Sequence, residues 1–346
     1  MSEQTAGLSY GAAGVSRETA ARAKRRIAEL VESTRNADVV SRAGGFGGLF
    51  RVPAGFRNPV LVSSADGVGT KLKVAMMAGR HDTVGLDLVN HCVNDILVEG
   101  ARPLFFLDYI DMGLLDPRIA ADIVAGCARG CRDNGCALLG GETAEMPDFY
   151  QPGEYDLAGF IVGMVDEDTR PGAHQVTPGQ LLVAVASSGF HTNGYSLLRR
   201  VLFDRLRLGI DDRYPETQDT VADVLLRPHR SYLAAVLPLI SSGAVSALAH
   251  ITGGGIPENL VRVLPADIHA HIDLASWRVP VEFRVVQQRG RINEKEMFLT
   301  FNMGVGMILI VPPDRVDGTL RHLADHGEHA WVIGVVLDGT REVTIR

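Results

Sequence analysis

The sequence predicts an α/β protein of mixed α+β order, built as two domains over residues 1–170 and 171–346. Three observations carry this. The chain has 346 residues, and at roughly 150 residues per domain that length fills two cores. Each half opens on a short apolar run that empties into a glycine-rich polar loop: residues 59–64 (PVLVSS) before Asp66-Gly67, and residues 181–186 (LLVAVA) before Ser187-Ser188-Gly189. Between the halves, residues 166–180 (DEDTRPGAHQVTPGQ) are polar, carry two prolines and read as a linker.

The elements follow in order. Residues 16–34 predict an amphipathic helix, with Ala20, Ala23, Ile27, Leu30 and Val31 at helical spacing and Ser16 as the cap. The cluster Gly44-Gly45-Phe46-Gly47-Gly48 precedes the first strand, 59–64. A helix is expected over 86–99, a strand over 104–110 and a helix from the cap Asp116 to about residue 132. A short strand over 137–139 ends in Gly140-Gly141-Glu142-Thr143, and 155–165 is a long strand. In the second half we expect a strand over 181–186, a helix over 195–206, a helix pair across 231–248, and strands over 307–311 and 331–336.

Composition excludes several classes. With 34 Lys+Arg against 41 Asp+Glu, the net charge is −7. That argues against nucleic acid or an anionic membrane as partner. Four cysteines make no disulfide framework. Cys127 and Cys131 lie four apart on a helical stripe, either as half of a metal site or as buried thiols; no Cys/His pair follows at ligand spacing. The first ten residues are polar, and 231–257, although uncharged, is broken by Pro238 and Gly253-Gly254-Gly255. A cytoplasmic protein with no membrane span is expected.

The chemistry-bearing loops are the glycine-rich ones. In SSADGVGTK (63–71), Asp66 leaves a strand beside Gly67 and Gly69, followed by Thr70 and Lys71. A carboxylate for Mg²⁺, with backbone N–H groups and a lysine for phosphates, is a recipe for a nucleotide site; the alternative is a plain glycine turn. On the next helix, Asp87, Asn90, His91, Asn94 and Asp95 share one face without a Lys, Arg or Glu, which suits metal or phosphate binding better than an ordinary solvent face. Glu142 repeats the strand–glycine–carboxylate pattern, so Asp66, Asp95 and Glu142 are candidate ligands for one or two Mg²⁺ ions. In the alternative, Glu142 and Glu145 only accept backbone hydrogen bonds. Gly44, Gly45, Gly47 and Gly48 fit a flap over phosphates. Ser188, His191 and Asn193 open a helix, and Gly253, Gly254 and Gly255 follow His250, giving two loops suited to a substrate phosphate or to a tight strand-to-helix connection. No GxSxG elbow is present, which argues against hydrolase chemistry.

Taken together, DGVGTK (66–71), GLDLVNHCVND (85–95), PLFFLDY (103–109), GGETAEMP (140–147), SSGFHTNGYSL (187–197), HITGGG (250–255) and EMFLTFNMGVGM (296–307) closely resemble the phosphoribosylformylglycinamidine cyclo-ligase (aminoimidazole ribonucleotide synthetase) family, in order and over nearly the whole chain. The resemblance implies the two-domain ATP-using fold of that superfamily, with the N-terminal domain binding ATP and Mg²⁺ and forming a homodimer through its strands. It implies that the C-terminal domain contributes to the substrate site. The implied reaction is ATP-dependent closure of formylglycinamidine ribonucleotide to aminoimidazole ribonucleotide, with Mg²⁺ and commonly a monovalent cation such as K⁺. On this reading the γ-phosphoryl group activates the formyl oxygen, the amidine nitrogen attacks the same carbon, and phosphate leaves.

Asp66, Asp95 and Glu142 are then assigned to Mg²⁺. Lys71 and the glycines of 44–48 and 67–69 go to ATP phosphates, and Ser188, His191, Asn193 and Gly253–Gly255 to the ribonucleotide. His191 or His250 moves protons, and the sequence does not choose between them. Ala12, Ser16 and Arg102 stand where the family commonly has acids. Two competing readings are a small-molecule kinase of the same superfamily and a non-catalytic nucleotide-binding regulator. GGETAEMP and TFNMGVGM argue against the first, and the presence of all three carboxylates argues against the second.

Overall fold

The computed structural model describes residues 14, 16–41 and 45–346. Ala12 and Gly44 therefore lie outside the described residues. The first half contains α1 (Arg17–Glu32), β1 (Pro59–Gly67), α2 (Lys71–Ala78), α3 (Asp82–Leu97), β2 (Arg102–Met112), α4 (Pro117–Asp133), β3 (Ala137–Glu145) and β4 (Tyr155–Asp166). The second half contains β5 (Leu181–Ala186), α5 (Tyr195–Arg199), α6 (Val221–Leu225), α7 (Leu233–Ser241), β6 (Ala247–His250), α8 (Gly255–Leu260), β7 (Ile268–Ile272), α9 (Val281–Gly290), α10 (Glu294–Thr300), β8 (Val305–Val311), α11 (Val316–Asp325), β9 (Ala330–Asp338) and β10 (Glu342–Ile345).

Local chemistry sets the helix starts. Ser16 accepts from the Thr19 N–H at the start of α1, and Asp116 accepts from Arg118 N at 2.8 Å, with Pro117 first in α4. Each cap satisfies one amide that the helix leaves open, at roughly 1 kcal/mol. Two sheets result. The first has the order β1-β4-β2-β3, the second β10-β7-β9-β5-β8-β6. In β8 every residue is buried, because it is flanked by β5 and β6.

In the first sheet, burial alternates along β4: Leu157, Gly159 and Ile161 face α3 and are buried, whereas Ala158 and Phe160 are exposed on the opposite face. Leu88, Val89, Val93, Ile96 and Leu97 of α3 are buried as well, each contributing about 1.5–3 kcal/mol by removal from water. Among the described residues no helix is long and apolar enough to cross a membrane. All four cysteines are free and buried.

The structure departs from the sequence reading at five places. Residues 71–78 form a helix that was not foreseen. The helix expected to start at 86 begins at Asp82. The strand expected over 137–139 runs on to Glu145, so GGETAE is strand rather than loop. Gly141 answers a packing demand, since a Cβ there would sit 2.3 Å from Asp108 Oδ1. The expected helix pair at 231–248 is one helix, α7, followed by β6, and the 195–206 helix passes at Arg200 into a π-helical stretch that ends at Arg205.

Candidate active site in the interdomain cleft

The helix α3 carries the junction between the two halves. Asp87 accepts from His229 N at 2.6 Å. Asn90 Nδ2 donates to the His229 carbonyl at 2.7 Å, and Asn94 Nδ2 to the Arg230 carbonyl at 2.8 Å. Tyr232 N donates to Asn94 Oδ1 at 3.0 Å. Three of the five polar residues on that face are thus spent holding the backbone of 229–232 from the other half. The metal or phosphate reading of the whole face is corrected for them, because the second half covers them completely.

Lys71 also departs from expectation. Its side chain is fully buried and ion-paired to Asp87 at 2.8 Å. The same ammonium donates to the His191 carbonyl at 3.0 Å and the Arg227 carbonyl at 2.8 Å. All three donors of an ammonium are used within the protein, so none is left for a phosphate. Burial pulls Lys71 down and Asp87 up, each opposed by its partner.

Beside this junction lies a cleft of about 830 Å³, lined by residues of both halves, within the range of about 300–1,000 Å³ typical of small-molecule sites. Asp66 reaches it from the end of β1, His91 and Asp95 from α3, Thr192 and Asn193 from the loop before α5, and His250 from the end of β6. Gly67, Gly69 and Gly253 line it too. Arg262 is the Lys or Arg side chain that the described lining contains.

A chain of five hydrogen bonds joins the two cleft carboxylates. Asp66 Oδ2 meets His91 Nε2 at 2.8 Å. His91 Nδ1 meets Thr192 Oγ1 at 2.9 Å, and the same hydroxyl meets His229 Nδ1 at 3.3 Å. His229 Nε2 meets His250 Nε2 at 3.1 Å, and His250 Nδ1 meets Asp95 Oδ1 at 2.8 Å. Ser64 Oγ donates to the other Asp95 oxygen at 2.9 Å. Five contacts need five protons, whereas the neutral hydroxyl and three neutral imidazoles supply four.

The fifth proton belongs on His91. Burial works to lower that ring, but Asp66 and Asp95 outweigh it and raise it. Burial lowers His250 despite Asp95, and lowers His229 strongly, reinforced by the neighbouring rings. Burial alone would raise both carboxyls. For Asp66, His91 and the Gly67 N–H hold it below the ordinary value; for Asp95, His250, His91 and Ser64 do so. The cleft therefore presents two ionised carboxylates held by second-layer rings, an arrangement of hard oxygen donors that fits Mg²⁺.

The remaining sequence candidates divide. Asn193 lines the cleft, and its buried Nδ2 has no protein partner, so it is an open donor for a ligand oxygen. His191 is 1% exposed and does not line the cleft. It stacks on His229 with ring centroids 4.0 Å apart, and its Nε2 accepts from Ser188 N. Ser188 Oγ donates to the Pro228 carbonyl. His191 builds the wall behind the site, which corrects its assignment to the substrate, whereas half-buried Ser188 is tied to the Pro228 carbonyl beside that wall. Gly254 and Gly255 open α8, and a Cβ on Gly255 would lie 1.8 Å from the Phe298 carbonyl oxygen, so tight packing explains that glycine. Thr70 meets Ser196 Oγ at 3.0 Å, hydroxyl to hydroxyl across the two halves.

Glu142 is not brought to Asp66 and Asp95. Its strand is at the opposite edge of the sheet, three strand spacings or about 14 Å from β1. It also sits on the opposite face: Asp66 pairs with Gly159 on the helix-covered side, whereas Glu142 pairs with Tyr109, itself paired with the exposed Ala158. Glu142 accepts from Thr143 N, and Glu145 accepts from Ser16 N and Leu115 N. Gly45, Gly47 and Gly48 do not line the cleft either; Gly48 lies against Leu139 of β3. Sequence reasoning missed Thr192, His229 and Arg262. His229 offers no local signal, since it lies in an irregular segment between α6 and α7.

Residues 53–165 match the family described as AIR synthase related protein, N-terminal domain, and residues 177–346 match AIR synthase related protein, C-terminal domain. A protein of Trichlorobacter lovleyi named phosphoribosylformylglycinamidine cyclo-ligase is 51% identical over 336 residues, covering 97% of this chain and 96% of that one. One of the same name from Alkaliphilus metalliredigens is 44% identical and covers 98% of each. Among solved structures, thiamine-monophosphate kinase from Stenotrophomonas maltophilia superposes with a TM-score of 0.69 at 16% identity, over 92% of this chain and 95% of that one. Hydrogenase maturation protein HypE in complex with ATP does so at 0.67 and 19% identity, over 91% and 88%. These last two likenesses show the fold alone.

Proposed function

The chain belongs to the phosphoribosylformylglycinamidine cyclo-ligase family, and from that premise we propose how its cleft works. It is a ligase of purine biosynthesis that closes formylglycinamidine ribonucleotide to aminoimidazole ribonucleotide with ATP. The observation that carries the site assignment is the pair Asp66 and Asp95, kept ionised on one cleft wall and facing the open amide of Asn193.

The reaction transfers the γ-phosphoryl group to the formyl oxygen. The amidine nitrogen then attacks the same carbon, the ring C–N bond forms, the C–O bond breaks and phosphate leaves. Positioning and charge neutralisation are the protein's contribution. Asp66 and Asp95 would hold Mg²⁺, which neutralises phosphate oxygens when bound. The Gly67 N–H holds Asp66, and the Gly69 N–H is the one left to point ATP toward them. Asn193, Gly253 and Arg262 take the ribonucleotide, with Arg262 supplying the cationic charge that Lys71 cannot. Of the two histidines considered for proton transfer, His250 is on the cleft wall and His191 is behind it, but both His250 nitrogens are taken up by His229 and Asp95, so the amidine proton leaves on the departing phosphate.

Residues 1–170 are proposed as the ATP, Mg²⁺ and dimerisation unit and 171–346 as the substrate unit, in a cytoplasmic homodimer. Leu61, Tyr109 and Phe160 are exposed on the first sheet's strands, which supports pairing through that sheet. Glu142 would serve a cleft only if a second copy packs there. A monomer mass by light scattering over a wide concentration range would exclude the dimer. K⁺ receives no residue assignment.

The deciding assay supplies purified protein with ATP, Mg²⁺ and formylglycinamidine ribonucleotide and follows the aminoimidazole product. Thiamine monophosphate is offered separately as a kinase acceptor. ADP formed with the second acceptor and no aminoimidazole from the first would overturn the assignment in favour of the kinase reading.

A further inference from the structure

We propose that Thr192 and His229 are positioning residues for ring closure: they fix the orientation of His91 and His250, and through them the two cleft carboxylates. The proposal rests on the cyclo-ligase reading for its kinetic part, and on the geometry of the relay for the rest.

The relay crosses between the halves twice. Asp66, His91 and Asp95 come from the first half, and Thr192, His229 and His250 from the second. Thr192 Oγ1 touches two rings of the relay at once, His91 at 2.9 Å and His229 at 3.3 Å. A hydroxyl has a single proton, so it donates to one ring and accepts from the other. That choice propagates. If Thr192 donates to His229 Nδ1, His229 carries its proton on Nε2 and donates to His250 Nε2. His250 then carries its proton on Nδ1, facing Asp95 Oδ1 at 2.8 Å. With both His91 nitrogens protonated, this one hydroxyl sets which nitrogen of His229 and of His250 carries the proton, and each cleft carboxylate keeps its hydrogen-bonded orientation.

His229 is fastened for this task rather than merely packed. It is 0% exposed. Its N–H is held by Asp87 at 2.6 Å and its carbonyl by Asn90 at 2.7 Å, while one ring face is covered by His191 at a centroid distance of 4.0 Å. Both ring nitrogens are directed along the relay. A buried imidazole kept only to fill space does not need both nitrogens satisfied by groups that lead to the site.

The test compares Thr192→Val, which keeps the shape and loses the hydroxyl, with Thr192→Ser, which keeps the hydroxyl, and with His229→Gln. Each is measured for melting, for kcat and for KM of ATP and of the ribonucleotide. Ring ¹⁵N spectra are recorded for histidine-labelled parent and variants. We expect Thr192→Val to lower kcat about tenfold or more with both KM values within about threefold, as for other groups that orient a ligand from behind. Thr192→Ser should return kcat to within about threefold of the parent. The ring signals of His91 and His250 should shift in Thr192→Val and not in Thr192→Ser.

A folded Thr192→Val with parental kcat and unmoved ring signals would overturn the proposal, as would a Ser variant that falls as far as Val. If Thr192→Val fails to fold, Thr192→Ser against His229→Gln decides in the same way. A parent that makes no aminoimidazole refutes the cyclo-ligase reading instead, and the ring spectra still report whether Thr192 sets the two histidines.

Discussion

Replacing Lys71 with Met separates a structural ion pair from a phosphate ligand. Lys71 and Asp87 are both fully buried and 2.8 Å apart. The ammonium also holds the carbonyls of His191 and Arg227. Methionine matches the stem in volume but leaves Asp87 as a buried charge whose remaining protein donor is His229 N. Removing one partner of a buried pair costs about 3–5 kcal/mol, and the two carbonyls lose a charged donor as well. Because those carbonyls belong to the second half, the loss falls on the junction between the halves. We expect Lys71→Met to melt on the order of 5–10 °C below the parent and to unfold at lower urea. In the fraction that stays folded, the KM for ATP should change little. Denaturation curves beside ATP kinetics make the measurement. A variant that melts like the parent while its KM for ATP rises about tenfold or more would refute the burial argument and restore Lys71 as a phosphate contact.

Three further outcomes follow from the same geometry. Asp66→Asn keeps the volume but removes the charge and one of the two acceptors that the Gly67 N–H and His91 use, so turnover should fall about a hundredfold while the fold is retained at a lowered melting temperature; near-parental rates across a Mg²⁺ titration would remove Asp66 from the metal site. Asn193→Ala and Arg262→Ala should each raise the KM for the ribonucleotide more than the KM for ATP, and the reverse order in steady-state kinetics would exchange the two subsites. Asp108 is buried in the first sheet, which pushes its carboxyl from 3.8 up to about 7. An acid raised in the folded state keeps a proton that the unfolded chain has lost, so its effect is to reduce stability as pH rises from 3.8 to about 7. Asp108→Asn should flatten that part of the stability–pH profile, and urea midpoints from pH 4 to 8 with an unchanged slope would refute the burial account.

Much of the frame was legible in the residues. The Ser16 and Asp116 caps, the apolar stripe of α1, and the apolar runs of β1, β4, β5 and β8 are patterns within one element, although β1 lies exposed where burial was expected. Asp66 and Asp95 were legible for the same reason, one as the acid leaving a strand beside glycines and the other as part of a polar stripe at helical spacing. The same stripe also misled. Periodicity places Asp87, Asn90, His91, Asn94 and Asp95 together, but it carries no information on what will cover them. The second half covers Asp87, Asn90 and Asn94 with the backbone of 229–232 and leaves His91 and Asp95 at the cleft.

Lys71 shows the same limit: a lysine after a glycine loop looks free until a distant chain segment supplies three acceptors. Glu142 was misplaced because period-two alternation sets its face only once register is known, and register is a pairing between strands far apart in sequence. His229 and Thr192 gain their importance solely from a junction formed by residues about 100 to 140 apart in sequence. Local pattern determined which elements form and which residues bear charge. Only the packing of one half on the other decided which of those charges are consumed in holding the protein together and which remain open to substrate, because the cost of burying a charge depends on partners that no local window of sequence contains.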